Sequence, residues 1–294
     1  MEHLRQRIEA VATDRQSGAT AILALALDVL QDAVATGQPI LPVARALCRA
    51  QPNMASVWNA AASAVAARVE AERLDHFAVR VGQAAGALAR HAREHFLATG
   101  TTPLRVVTVS ASSAVRTVLT AVSTDRPVRV ACGEARPGLE GRTQAAALAA
   151  AGVPAALFSD AGLGHALAGA DLVLVGADAV APEWFVNKSG TAMLAAMASR
   201  LGVPVYMAAT RDRFASHPLA ARLPLDDGPA DEVWDQPPTG VTPRNPIFER
   251  VPLDLVTAVL SDLGLLGVDM VPDACAAAQD ELLLEALRAL ADED

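Results

Sequence analysis

A change of rhythm near residue 100 limits this chain more than anything else in it. Beyond that point short apolar runs alternate with longer helical stretches. Leu104–Val109, Val128–Ala131, Ala155–Phe158, Leu172–Val175 and Pro204–Ala208 read as strands. Ser112–Val122, Leu139–Ala151, Gly162–Ala168 and Thr191–Leu201 read as the helices between them. Strands of about five residues separated by helices of about ten predict a parallel sheet covered by helices on both faces. The expectation is an α/β chain whose second half, 101–294, is doubly wound.

The first hundred residues carry a different pattern. Leu4, Ile8 and Val11 fall on one helical stripe, Ile22, Leu25, Ala26 and Val29 on another, and Val57, Ala61 and Val65 on a third. Pro39, Pro42 and Pro52 punctuate them, and a long helix is expected between Val69 and Leu97. Residues 1–100 are therefore read as a helical N-terminal domain. Further on, 223–246 is rich in Pro, Asp and Gly and reads as a surface loop. Leu253–Leu263 is expected to be a helix. Asp280–Leu290 is expected to be an amphipathic helix facing solvent or another subunit.

Composition removes several classes of function. The formal charge of -9 argues against direct nucleic-acid binding, which needs a basic face. It leaves room for a small phosphorylated ligand, for which two or three local cations suffice. No apolar run is long enough to span a bilayer, and Met1-Glu2-His3-Leu4-Arg5 lacks the plan of a signal peptide. The three cysteines, Cys48, Cys132 and Cys275, are far apart and show no zinc spacing. The expectation is a cytoplasmic protein with no metal, cofactor or membrane association.

In an open parallel sheet, ligands bind beyond the carboxyl ends of the strands. After the first strand come Ser110, Ser112 and Ser113; after the second, Glu134 and Arg136; after the third, Asp160. After the fourth come Gly176 and Asp178, then Asn187 and Lys188; after the fifth, Arg211 and Arg213. Acid/base groups and cations thus gather on one edge. Each also has a plainer reading. Asp160 reads as a helix N-cap, and Ser112 either as an N-cap or as an anion contact. Arg136 could be an ordinary loop arginine. Asp178 is either structural or a desolvated acid/base. Lys188 before a helix is disfavoured by the dipole, which suggests a ligand that offsets it. Cys132 reads as a core cysteine.

Three segments together resemble a known family. They are Gly133-Glu134-Ala135-Arg136-Pro137-Gly138-Leu139-Glu140-Gly141-Arg142, Gly176-Ala177-Asp178 followed by Asn187-Lys188-Ser189-Gly190-Thr191, and Asn245-Pro246-Ile247-Phe248-Glu249. Ser17-Gly18-Ala19 and Gln51-Pro52-Asn53-Met54 add weaker likeness. The pattern is similar to the family that joins the alpha, beta and delta subunits of initiation factor 2B with ribose-1,5-bisphosphate and methylthioribose-1-phosphate isomerases. The resemblance implies a helical N-terminal domain, a Rossmann-like C-terminal domain, a site between them, and a homodimer or higher homo-oligomer. It places Asp178 as catalytic acid/base. Gly18, Ser112, Ser113, Glu134, Arg136, Asn187, Lys188 and Arg213 become candidate binders of a phosphorylated sugar or nucleotide.

The chain departs from the isomerase pattern at two places. Thr108-Val109-Ser110-Ala111-Ser112 puts Ser110 where the resemblance calls for a catalytic cysteine, with Val109 in place of a histidine. A serine hydroxyl is a far poorer base than a thiolate unless another group activates it. Gln51 stands where the family has a phosphate-holding arginine. Two readings stay open: a sugar-1-phosphate isomerase with an altered partner for Asp178, and a non-catalytic regulatory subunit that senses a phosphorylated metabolite. Cys132 as a substitute thiol is a third possibility for the chemistry alone.

Overall fold

The computed structural model describes residues 2–14, 18–100 and 102–291. Ser17, in one of the weaker motifs, lies outside them. Five helices come first: α1 (Glu2–Thr13), α2 (Ala19–Ala35), α3 (Ile40–Ala50), α4 (Ala55–Ala66) and α5 (Arg73–Ala98). α4 is the centre of this bundle. Its sequence is mostly alanine and serine, and nearly every position is buried. Small side chains on all sides let neighbours approach all round, so an almost wholly buried helix forms where an amphipathic one would not.

The rest of the chain runs β1 (Leu104–Val109), α6 (Ser113–Ser123), β2 (Val128–Gly133), α7 (Glu140–Ala150), β3 (Ala155–Phe158), α8 (Gly164–Leu167), β4 (Leu172–Gly176), β5 (Ala179–Val180), β6 (Trp184–Lys188), α9 (Thr191–Arg200) and β7 (Val205–Ala208). It continues through α10 (His217–Ala220), β8 (Phe248–Pro252), β9 (Ala258–Ser261), β10 (Gly264–Gly267), α11 (Val271–Ala277) and α12 (Glu281–Ala291). The main sheet has the order β10-β9-β7-β4-β1-β2-β3. Every pair in it is parallel except β10 against β9. The doubly wound α/β expectation holds, and each of the five expected strands is present.

Side-chain alternation along the strands fills both faces. Leu104, Val106, Leu172 and Leu174 pack in one core with Leu88, Ala92 and Phe96 of α5 and Val115, Val118 and Leu119 of α6. Val107, Val109, Val173 and Val175 point the other way, into a core with Leu194, Ala195 and Ala198 of α9. The start of α5 belongs elsewhere: Leu74 and Phe77 pack in the core of the N-terminal helices. One helix therefore serves two cores.

Three expectations need correction. Leu253–Leu263 is not a helix. It is a 3-10 turn at Leu253–Leu255, then β9, then a hairpin into β10. The spacing of Leu253, Val256 and Leu260 suits a helix, but β9 pairs with β7 in the register Tyr206↔Ala258 and is buried along its length. Tertiary pairing overrides the local pattern. Lys188 does not begin a helix; it ends β6, and α9 starts after Gly190 at φ 96. α12 does not keep its apolar stripe for solvent or another subunit: Leu283, Ala286, Leu287 and Leu290 join the core of the N-terminal helices. A second sheet, β5-β6-β8, is antiparallel and was not foreseen. It aligns Asn187 with Glu249 and Lys188 with Phe248. No helix among the described residues is long and apolar enough to cross a membrane.

Candidate functional site

The strand order sets the place of the site. From β1 the chain steps outward to β2 and β3, then returns to β4 and steps the other way to β7 and β9. The reversal falls between β1 and β4, where the helices leave opposite faces and open a crevice at the carboxyl ends. Ser110, Ser112 and Ser113 leave β1 there, and Gly176, Ala177 and Asp178 leave β4. The two ends nearly touch: a Cβ on Gly176 would lie 2.4 Å from Ser112 Oγ. Glycine is required for that approach.

Asp178 and Arg213 form the floor. Arg213 is 4% exposed. Its Nη1 donates to the Ala177 carbonyl, and its Nη2 donates to Thr20 Oγ1 at 3.2 Å. Nη1 lies 4.0 Å from Asp178 Oδ1; Nε is buried without a hydrogen bond and lies 4.0 Å from Asp212 Oδ2. Asp178 keeps 21% of its side-chain exposure. Burial pushes its carboxyl above the usual aspartate range; Arg213 and Lys188 pull it back, and Glu140 pushes it further up.

Lys188 and Glu140 make the opposing wall. β6 and β8 bury Lys188 to 4% exposure, with its ammonium 5.5 Å from the centre of the Phe248 ring. Its Nζ donates to Glu140 Oε1 at 2.6 Å. The second oxygen of Glu140 is buried without a partner. Asn187, next to Lys188 in the same strand, donates from Nδ2 to Thr191 Oγ1 at 2.9 Å, with its other amide atom toward Gly176. A lysine, an arginine and two carboxylates thus share one crevice.

The N-terminal helices close the site from one side. Gly18 caps α2 at its exposed start, and nothing lies within 4 Å of where its Cβ would be. One residue into the helix, Thr20 Oγ1 lies 2.6 Å from Ser113 Oγ while accepting from Arg213. Ser112 accepts from Val115 N at 3.3 Å, so it is the N-cap of α6. Ser110 is 8% exposed and sits in the left-handed region at φ 64. Such backbone is uncommon for serine and marks an over-determined turn.

Glu134 and Arg136 lie on the loop beyond β2. Glu134 accepts from Arg142 at 3.2 Å. The Arg136 side chain is exposed and makes no ion pair among the described residues. Asp160 stands at the N-cap position of the 3-10 turn Ala161–Leu163, but its side chain does not cap that turn. Its two oxygens accept from the backbone of Ala135 and Arg136, each at 2.7 Å, so it braces this loop. The loop ends where Gly141 meets Gly133: a Cβ on Gly141 would fall 1.8 Å from the Gly133 carbonyl oxygen. The tight return delivers Glu140 to Lys188.

Cys132 is fully buried among Val106, Val130 and Leu148, and burial pushes its thiol up to about 11. It points into the core, which removes it as a substitute nucleophile. Cys48 and Cys275 are buried as well. Gln51 is tied to the backbone of Val11 at 2.7 Å. Among the described residues no group of acids, histidines and cysteines could hold a metal.

Sequence reasoning missed Glu140 and Thr20. Glu140 opens a helix, where an acid already suits the dipole, so its position gave no reason to ask more of it. Thr20 sits inside a helical stripe, and only the meeting of α2 with α6 gives it a role.

The profile described as "Initiation factor 2 subunit family" matches residues 15–267. Methylthioribose-1-phosphate isomerase of Albidiferax ferrireducens is 32% identical over 173 residues, covering 55% of this chain and 48% of that protein. Ribose 1,5-bisphosphate isomerase of Methanocaldococcus jannaschii is 29% identical over 161 residues, covering 53% of this chain and 52% of that one. The chain's match thus spans about half the length of these curated relatives. Among solved structures, translation initiation factor eIF-2B of Pyrococcus horikoshii superposes with a TM-score of 0.76 at 21% identity, covering 90% of this chain and 97% of that one. The 5-methylthioribose 1-phosphate isomerase of Pyrococcus horikoshii gives 0.70 at 18% identity, covering 94% of this chain and 88% of that one. These likenesses show a shared fold.

Proposed function

Since the chain belongs to the initiation factor 2 subunit family, we propose that it binds a phosphorylated sugar in the crevice between β1 and β4 and interconverts the aldose and ketose forms of a sugar 1-phosphate. The observation that carries this reading is Asp178, a carboxyl held above its ordinary range between Arg213 and Lys188. An acid/base group works best when its proton affinity approaches the working pH, and burial moves Asp178 that way. The reaction breaks the bond between C1 and the ring oxygen, moves hydrogen from C2 to C1 and passes the C2 hydroxyl proton to the freed ring oxygen. Asp178 handles one of these. Ser110 stands at the end of β1 but brings no thiolate, so Glu140 is the better second group, with Lys188 holding its carboxylate in place.

The phosphate is taken by cations and by amides. Arg213 offers a buried positive charge, and Arg136 offers an unpaired guanidinium at the rim. Ser112 and Ser113 sit at the start of α6, where backbone N–H groups favour an anion. Gly18 and Thr20 bring the N-terminal helices against the sugar. Glu134 shapes the loop. The relatives named as sugar-phosphate isomerases support the substrate class.

The absence of any accessible thiol favours a second reading, a regulatory subunit that keeps the pocket and senses a phosphorylated metabolite without converting it. Both readings include a homo-oligomer, which sedimentation of the purified chain checks. Phosphorus NMR with a panel of sugar 1-phosphates, ribose 1,5-bisphosphate included, separates the two. A new phosphoester resonance, lost in Asp178→Asn, supports the isomerase. Line broadening by one compound without a new resonance supports the sensor. Unchanged spectra throughout sink both.

A further inference from the structure

A cavity of about 280 Å³ lies between α4, α5, the 3-10 turn at Arg211–Arg213 and the segment that enters α12. It shares no lining residue with the crevice. Three arginines meet there, Arg73 and Arg80 from α5 and Arg211 from the turn, in a chain whose formal charge is -9. Two of them are matched. Arg73 donates to Asp280 at 2.6 Å and to Glu70, and Arg211 donates to Asp262 at 2.7 Å.

Arg80 is not matched. Among the described residues it has no hydrogen bond and no ion pair, and its guanidinium stands 5.7 Å from the centre of the Phe77 ring. Arg80 is an exposed residue; partial desolvation, then the charges of Arg211 and Arg73, lower its hold on its proton, while Asp262 and Asp280 offset part of this. Arginine keeps its charge regardless, so the cavity carries an excess cation. The carboxylates in the wall are already engaged. Asp280 serves Arg73, and Asp212 is buried with the Thr210 side chain and the charge of Arg213 beside it. Asn59 at the back spends its amide donors on the carbonyls of Asp212 and Phe214. What remains is the planar fork of Arg80, over the Phe77 ring, with Val81, Ala84 and Leu283 as the apolar part of the lining.

We propose that this cavity is a second anion site, separate from the crevice, which takes the oxyanion head of a small phosphate ester or carboxylate between Arg80 and Arg211. Guanidinium pairs match such heads with two parallel hydrogen bonds. The apolar wall takes the rest of the molecule. The site is linked to the crevice through a single turn: Arg211 lines the cavity, and Arg213, two residues on, holds Ala177 and Thr20 and faces Asp178. An occupant that draws Arg211 from Asp262 shifts that turn, so ligands at the two sites alter each other's affinity by equal factors.

The test is amide NMR of the full chain titrated with inorganic phosphate, and separately with acetate, which distinguishes the two kinds of head. Saturable shifts are expected at Arg80, Phe77 and the 211–213 turn. Arg80→Gln should weaken those shifts at least tenfold while phosphate-induced shifts around Ser112 and Lys188 persist. Arg80→Lys, which keeps the charge and loses the fork, should fall between. Arg80 has no hydrogen bond or ion pair to lose, only an exposed contact with the Phe77 ring, so both variants are expected to melt near the wild-type temperature. Phosphate and acetate leaving the α5 and 211–213 amides unmoved, or binding Arg80→Gln as tightly as wild type, would overturn the proposal. Neither result depends on isomerase activity.

Discussion

Burial makes the charged form of Asp178 costly, and Arg213 and Lys188 offset only part of that cost. The folded chain therefore holds this proton to a higher pH than the unfolded chain does. The stability from this group is complete below the ordinary aspartate range and is lost as pH rises through the raised value. Asp178→Asn, which cannot ionise, should accordingly melt at a higher temperature than wild type near neutral pH, with the gap closing in acid. Calorimetry at two pH values reads this; a lower melting temperature at neutral pH would show that its two cationic partners dominate. Turnover, where present, should fall by about 10²–10⁴-fold, the usual contribution of a positioned acid or base. Glu140→Gln leaves Lys188 without its ion pair and removes one charge that pushes Asp178 up. Carbon NMR of the aspartate carboxyls should then find Asp178 titrating lower than in wild type. An unmoved Asp178 would mean the two carboxyls do not feel each other. Asp178 could be singled out from the sequence because it follows a fully apolar strand. Glu140 could not, because its partner lies 48 residues away and meets it only through the fold.

Loops and short strands decide how these side chains meet. The return from β2 into α7 depends on Gly141, whose missing side chain is the space filled by the Gly133 carbonyl. Gly141→Ala should destabilise the chain by about 1–3 kcal/mol or more as the backbone is forced apart. It should also weaken sugar-phosphate binding, because Glu140 is carried away from Lys188. Urea unfolding and a ligand titration on the same sample read both effects, and an undisturbed midpoint would mean that the loop yields freely. The five parallel strands were legible because each is a run of apolar residues closed by turn residues. The β5-β6-β8 sheet was not. β5 has two residues, and β6 finds β8 only after a gap of about sixty residues, so no local period announces the pairing. β9 failed for the opposite reason, since its residues satisfy a helical period as well as a strand.

At the scale of the whole molecule, the C-terminal helix is part of the N-terminal core. Leu287 is 2% exposed there, in a helix more than two hundred residues from most of its neighbours. Leu287→Ala should cost about 2–5 kcal/mol, as deletion of a buried leucine does. Denaturant unfolding followed by circular dichroism measures it; a loss below about 1 kcal/mol would place α12 outside the cooperative unit. That helices come before a mostly parallel sheet was readable from period alone. The closing of the first by the last helix was not, because an apolar stripe does not say what covers it.

The divided loyalty of α5 carries one more consequence. Its first turns anchor in the bundle and its last turns in the sheet, over a span of roughly 39 Å. Cutting the gene on either side of that helix would strip apolar contacts from one fragment or the other. Co-expressed halves split in the loop after Ala98 should therefore find each other and reassemble, with the exposed end of the helix acting as the latch.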